Sequence, residues 1–439
     1  MKKMKKNLLF LAAVVLNFGL LSCSSTDEDN LGETKTVVNM SSEAKPIELT
    51  EAQRVFVNDN NAFTLNFLKT VNETGSDGKS FIYSPLSITY VLGMVNDAAI
   101  GQTEQELEQI LGFHEGGIQA VNDFCKNLID NLPNVDQKVK LNIANAIFLN
   151  KLFTLKEQFQ NDMQTYYDAE AEALDFSSNK TLDRINGWCA DKTNGMITKI
   201  LEQVDPIAVS YLLNAIYFKA DWASKFDTKN THSETFATEN GQTQLPLMHQ
   251  NVLISYMKND TYAAVDIPYG NGSWSMTVML PEEGKTTDDI IARLSRYGLE
   301  GYGFCGTMGD TFLPYEVDLK LPRFETSSDT NELPSRKGLI GVLQTMGIQL
   351  AFDAYKAEIP NLCENSNVYI SMMRQKAKIK VDEEGSEAAA VTVADIVMSA
   401  ETNPPTYPKT TFHANRPFVY VIREASSGVI LFVGKFTGE

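Results

Sequence analysis

Apolar residues recur at helical spacing between Thr50 and Val71, at Val55, Phe56, Phe63, Phe67, Leu68 and Val71. In FIYSPLSITYVLGMVNDAA, Phe81 to Tyr83 reads as a short strand, Ser84 as a helix cap and Pro85 as a first helical residue. Thr103 and Glu106 have the spacing of a capping box for the next helix. Val139 to Leu149 alternates like a strand, and Leu155 to Tyr166 and Thr181 to Leu201 read as helices. Ser210 to Trp222 is a strongly apolar strand, and a meander of strands is expected between Thr235 and Pro281. Further strands are expected over Val317 to Glu325 and Tyr369 to Val381, with a helix over Leu339 to Met346 ending near Gly347. No linker, repeat or low-complexity break interrupts the chain from residue 49 to the segment near residue 400, so one large mixed domain is expected.

The stretch VDEEGSEAAAVTVADIVMSA, Val381 to Ala400, has two readings. Glu and Ala are strong helix formers, so EEGSEAAA suits an exposed helix. As a strand, one face carries Ser386, Ala388, Ala390 and Thr392, none of them charged or larger than Thr. The other face carries Glu387, Ala389, Val391 and Val393. Such a strand is suited to sliding into a sheet with its small face inward and Glu387 toward water, whereas a charge on the inner face would oppose insertion.

EEGSEAAAVT resembles the hinge of the serpin reactive-centre loop, with Glu383, Gly385, Ser386, Glu387, Ala388, Ala389 and Ala390 as hinge residues. FHANRPFVYVI and SGVILFVGKF resemble the family's C-terminal signature and last core strand, and SYLLNAIYFKADW resembles its LxNAxYFKxxW strand. Ser84, Ser87 and Asn214 match residues of the family's shutter. Gln375 stands where the family usually has a histidine, and it hydrogen-bonds without titrating. The resemblance covers residues 49–439. It implies an α+β serpin fold with a large mixed central sheet, two further sheets, about eight or nine helices and an exposed reactive-centre loop near 383–411.

The resemblance also implies function: suicide inhibition of serine proteases, in which the cleaved loop inserts into the main sheet, with no cofactor. Counting from Glu383 as the family does puts the reactive bond at Ser399–Ala400, with Met398–Ser399 as the alternative; the longer ETNPPTYPKTT segment blurs this placement. These residues suit elastase-, subtilisin- or chymotrypsin-like enzymes better than trypsin-like ones, which need a cation in an acidic pocket. Some serpins also trap papain-like cysteine proteases. The rival class is a non-inhibitory serpin acting as a surface binding or carrier protein; those tend to have bulky or charged hinges. A lipoprotein binding a glycan or host protein would leave the small hinge unexplained.

The N-terminus reads as a targeting segment, with Lys2, Lys3, Lys5 and Lys6 before an apolar run from Leu8 to Leu21. LLSC resembles a bacterial lipoprotein signal with lipid placed on Cys23; the alternatives are a plain secretory signal or an uncleaved anchor. The acidic SSTDEDN after it resembles a Bacteroidetes surface-export tag. The expected organisation is a signal peptide over 1–22, a tether over 23–48 and the serpin domain over 49–439. The expected setting is an outer-membrane lipoprotein at the cell surface, or on the periplasmic face, as a monomer. Removing residues 1–22 takes away four lysines and carries the net charge from −18 to −22, which argues against nucleic acid as a partner. Five cysteines lack any CxxC spacing, and no metal motif occurs; apart from Cys23, the four at Cys125, Cys189, Cys305 and Cys363 allow three disulfide pairings, none selected by the sequence, and buried free thiols are the expected state for a chain long enough to build a large core. The four histidines sit in no HExxH and no serine stands in GxSxG, so an enzyme is not expected.

Overall fold

The computed structural model describes residues 44–74, 78–113, 116–299, 311–333, 338–364, 368–386 and 406–438. The body begins slightly before residue 49: Ile47 is buried and its amide donates to Ser426 Oγ at 2.9 Å.

Helix α1 (Glu51–Glu73) opens on a capping box between Thr50 and Gln53 and buries Phe56, Phe63, Phe67, Leu68 and Val71. Val55 is on the water side, half exposed. Strand β1 (Phe81–Tyr83) leads into α2 (Pro85–Ala98), which is apolar all round and therefore buried all round. Helices α3 (Gly101–Leu111) and α4 (Gly117–Asn131) follow, then β2 (Lys140–Asn150), α5 (Glu157–Tyr167), β3 (Glu170–Leu174) and α6 (Asn179–Lys192). Next are β4 (Ser210–Asp221), β5 (His232–Thr238), β6 (Gly241–Lys258), β7 (Tyr262–Tyr269), β8 (Trp274–Pro281) and α7 (Thr287–Tyr297). The chain then forms β9 (Leu313–Pro322), β10 (Phe324–Asp329), α8 (Leu339–Met346), β11 (Met373–Val381) and the two-residue β12 (Gly385–Ser386). Strands β13 (Lys409–His413), β14 (Phe418–Glu424) and β15 (Ile430–Phe436) end it.

Three local expectations change. The capping box at Thr103 and Glu106 does not form, because α3 starts earlier, at Gly101. Thr103 accepts the Glu358 amide instead, and Glu106 accepts those of Gln349 and Leu350. Helix α6 ends at Lys192, not Leu201. Asn194 (φ 52°) and Gly195 (φ 78°) turn the chain back, and Asn186 ties the return at Ile200 and Leu201. The strand expected over Val317 to Glu325 is two strands, with the chain changing sheets at Arg323.

One sheet has the order β10–β11–β12–β4–β2–β3 and is mixed: β11 with β4 and β2 with β3 are parallel, the other pairs antiparallel. The rest forms a continuous nine-stranded path, β1–β15–β14–β8–β7–β6–β9–β13, with β5 also on β6. The long β6 makes it continuous, pairing in succession with β5 over residues 241–247, β9 over 247–256 and β7 over 255–258. The main core lies between the six-stranded sheet, α2 and the inner strands of this path. Leu212, Ile216, Phe218 and Ala220 of β4 face it, while Tyr211, Leu213 and Ala215 face a second cluster with Ile185, Trp188 and Cys189 of α6.

Candidate functional site

Strands β4 and β11 run parallel, and Met373–Lys376 pair directly with Leu212–Ala215. Among the described residues this ladder stops at Lys376 and Ala215. Further along, β12 lies between the two strands, with Ser386 opposite Val381 on one side and Ala220 on the other. Val381 and Ala220 stand at the same offset as the directly paired residues. The six-stranded sheet is thus closed in its middle, wedged at one end, and in constant register.

The wedge is a turn over Asp382–Glu384. Asp382 and Gly385 exchange backbone hydrogen bonds at 2.9 and 3.2 Å. The amides of Trp222 and Phe226 donate to Glu384 O and Glu383 O at 2.8 and 3.0 Å, and Trp222 Nε1 donates to Asp382 O at 2.9 Å. Gly385 has φ 150°, and a Cβ there would lie 2.2 Å from Ala220 O and 2.6 Å from Asp221 Cα. Only glycine lets the two backbones come this close. Ser386 is 1% exposed and its Oγ lies 2.8 Å from Tyr269 OH, whose ring stacks on Trp222 at 4.3 Å. A small residue at 386 is therefore already on the core face of the sheet.

Three carboxylates in this turn have cationic partners. Lys380 lies 3.3 Å from Asp382, and Lys225 binds Glu384 while lying 3.0 Å from Asp221. Glu383 is buried and is held by Arg323 through both its carboxylate oxygens and by the Thr231 hydroxyl at 2.6 Å. Burial pushes the Glu383 carboxyl up, but Arg323 and Thr231 outweigh it and hold it below the usual glutamate range.

The closed middle is held by neutral groups. Gln375 and Asn214 are directly opposite, and Gln375 Nε2 donates to Asn214 Oδ1 at 3.2 Å and to Ser84 O at 2.8 Å. Ser84 N donates to Gln375 Oε1 at 2.9 Å, and Ser84 Oγ to Ser87 Oγ at 3.1 Å. Asn214 Nδ2 donates to Asn145 Oδ1 at 2.9 Å and Gln375 N to Thr330 Oγ1 at 2.9 Å. All six side chains are buried. Ser84, Ser87, Asn214 and Gln375 are thus brought together in one hydrogen-bonded group. Asn145 and Thr330 were not anticipated, although Asn145 stands inside an alternating strand, where a buried amide needs a partner.

Of the hinge residues, Glu383, Gly385 and Ser386 are described; Glu387, Ala388, Ala389 and Ala390 lie outside the described residues. So do Met398, Ser399 and Ala400, and likewise Cys23 and Cys305. Cys125, Cys189 and Cys363 are buried thiols. His249 and His413 approach a single carboxylate, Asp318, at 2.7 and 3.2 Å, linking β6, β9 and β13. Among the described residues no cluster could hold a metal ion, and no helix is long and apolar enough to cross a membrane.

The family profile for serpins (serine protease inhibitors) matches residues 58–438. This chain belongs to the serpin family. A serpin-like protein of Thermococcus kodakarensis is 29% identical over 385 residues, 87% of this chain and 85% of that one. The thermophilic serpin tengpin in its native state superposes with a TM-score of 0.75 at 27% identity, covering 90% of this chain and 96% of that one. Human thyroxine-binding globulin in complex with thyroxine gives 0.71 at 26% identity, covering 88% and 98%. The architecture matches that of solved serpins. Most serpins inhibit serine proteases and are not enzymes, while some, thyroxine-binding globulin among them, are non-inhibitory.

Proposed function

We propose that this serpin is a suicide inhibitor of serine endopeptidases. The observation that carries the reading is β12: the first rung of an additional strand is already seated between β4 and β11, in a register that continues without shear into the closed ladder. Extending it requires the two strands to part sideways only. Cleavage follows acyl-enzyme chemistry. The protease hydroxyl attacks the carbonyl carbon of Ser399, or of Met398, and the peptide C–N bond breaks. The new amine leaves with the proton the enzyme delivers, and the loop stays esterified to the protease. Insertion of the freed segment completes the sheet and displaces the bound enzyme before water releases it. The intact fold is then held kinetically.

The expected targets are elastase-, subtilisin- or chymotrypsin-like enzymes, and a papain-like cysteine protease is the further class to test. The protein is proposed to work as a monomer, held at the outer-membrane surface by lipid on Cys23 after loss of residues 1–22. Its excess of acidic residues suits a body held off an anionic surface.

The test is to mix the mature domain with elastase, subtilisin and chymotrypsin, then run denaturing gels and mass spectrometry on the released C-terminal peptide. A complex that survives SDS supports trapping, and the first residue of the peptide identifies the bond. Clean cleavage with no complex and no gain in thermal stability would transfer the assignment to a non-inhibitory carrier.

A further inference from the structure

Strands β4 and β11 begin beside a cleft of about 540 Å³ lined by Glu202, Ala208, Tyr211, Tyr369, Met372 and Arg374. The sheet is closed just above it, where Leu212 N donates to Met372 O at 3.0 Å. Ser386 fixes the register of any strand that grows from β12. Each further residue steps back by one along both neighbours, so residue 392 comes opposite Gln375 and Asn214, and residue 395 opposite Met372 and Tyr211. Side chains alternate, and Ser386 faces the core. Residue 395 therefore faces the other way, onto the side where Tyr211 and Met372 pack beneath α6.

Residue 395 is Asp395. A lone carboxylate on that apolar face would oppose insertion. Arg374 is its diagonal neighbour on the same face, within reach of a long side chain. Arg374 is 7% exposed and gives Nε and Nη2 to Asp329. A guanidinium has five donors, so Nη1 remains for a second carboxylate. Arg374 and Lys376 also act on the rim of this cleft: Glu202 is held below the usual carboxylate range by Lys199 first, and then by these two.

We propose that this cleft is the terminal docking site for the segment around Asp395, whose carboxylate binds Arg374 once the loop has been cut. The proposal rests on the insertion reading above and adds a specific electrostatic stop at the far end of the sheet.

The test compares thermal unfolding of the full mature chain, intact and after cleavage beyond residue 398 (the cut confirmed by mass), for wild type, Asp395→Asn and Asp395→Lys. All three intact forms should melt together. Cleaved wild type should gain stability, Asp395→Asn should lose roughly 2–4 °C of that gain, and Asp395→Lys should lose more, because it sets a cation beside Arg374. Equal gains in all three cleaved forms would overturn the docking site while leaving insertion standing. An intact Asp395→Lys that melts early would also count against it, since it would place Asp395 in the uncut body. No gain in cleaved wild type would remove the insertion reading and this proposal together.

Discussion

The entrance and the middle of one slot are closed by different physics. At the wedge, a turn dense in charge is held by Arg323, Lys225 and Lys380, and a backbone contact tolerates only Gly385. In the middle, Gln375, Asn214, Ser84 and Asn145 close the sheet with buried neutral hydrogen bonds. A charged, partly exposed clamp responds to pH and salt. A buried neutral network does not, and it holds because each group left unpartnered is expensive. The slot thus has an environment-sensitive entrance and an indifferent gate.

The largest break in this comparison should come from Ser386→Arg. The guanidinium must either be buried without a partner, at about 3–5 kcal/mol, or stay out and unseat the wedge. The variant should be cleaved as a substrate; full-yield covalent complex on a denaturing gel would refute the assignment of Ser386 to the inner face. Next comes Gly385→Ala. Its Cβ would meet Ala220 O, Asp221 Cα and Trp222 N closer than 3.0 Å, so the turn must leave the slot, at about 3 kcal/mol, the upper end for strained backbone. Faster proteolysis near the hinge, with the rest of the fold intact, would register this.

Arg323→Ala should be milder, about 1–3 kcal/mol, because Arg323 is half exposed and screened by water while Glu383 is buried. It also carries the pH dependence. The depressed Glu383 carboxyl contributes stability that is complete above the ordinary glutamate range and fades as pH falls through its lowered value. Wild-type hinge protection, followed by hydrogen exchange, should decline under acid, and the variant should lose that dependence. The smallest effect is expected from Gln375→His. The wild-type gate has no group to titrate between about pH 5 and 8, whereas the variant should acquire a pH-dependent opening rate there. An identical pH profile in both would mean that this position does not control the gate.

The wedge and the gate were legible to different degrees. Period-two spacing placed Ser386 on an inner face, and resemblance brought Ser84, Ser87, Asn214 and Gln375 together. Arg323 and Thr231 could not be found that way, because they reach Glu383 from far along the chain. Arg323 was read as the interior of one strand, and its role follows from the sheet change there. Helix ends failed where a local tie won: Asn186 captured Ile200 and Leu201, and α6 stopped at Lys192. Val55 matched the apolar face by spacing alone, but the body offers it no partner surface.

The most direct test of the register on which this account depends is a crystal structure of the chain cut in its loop. A strand should run from Ser386 toward Asp395 between β4 and β11, with Thr392 separating Asn214 from Gln375 and their offset unchanged. A cut chain in which Gln375 still donates directly to Asn214, with β12 no longer than Gly385–Ser386, would contradict the account.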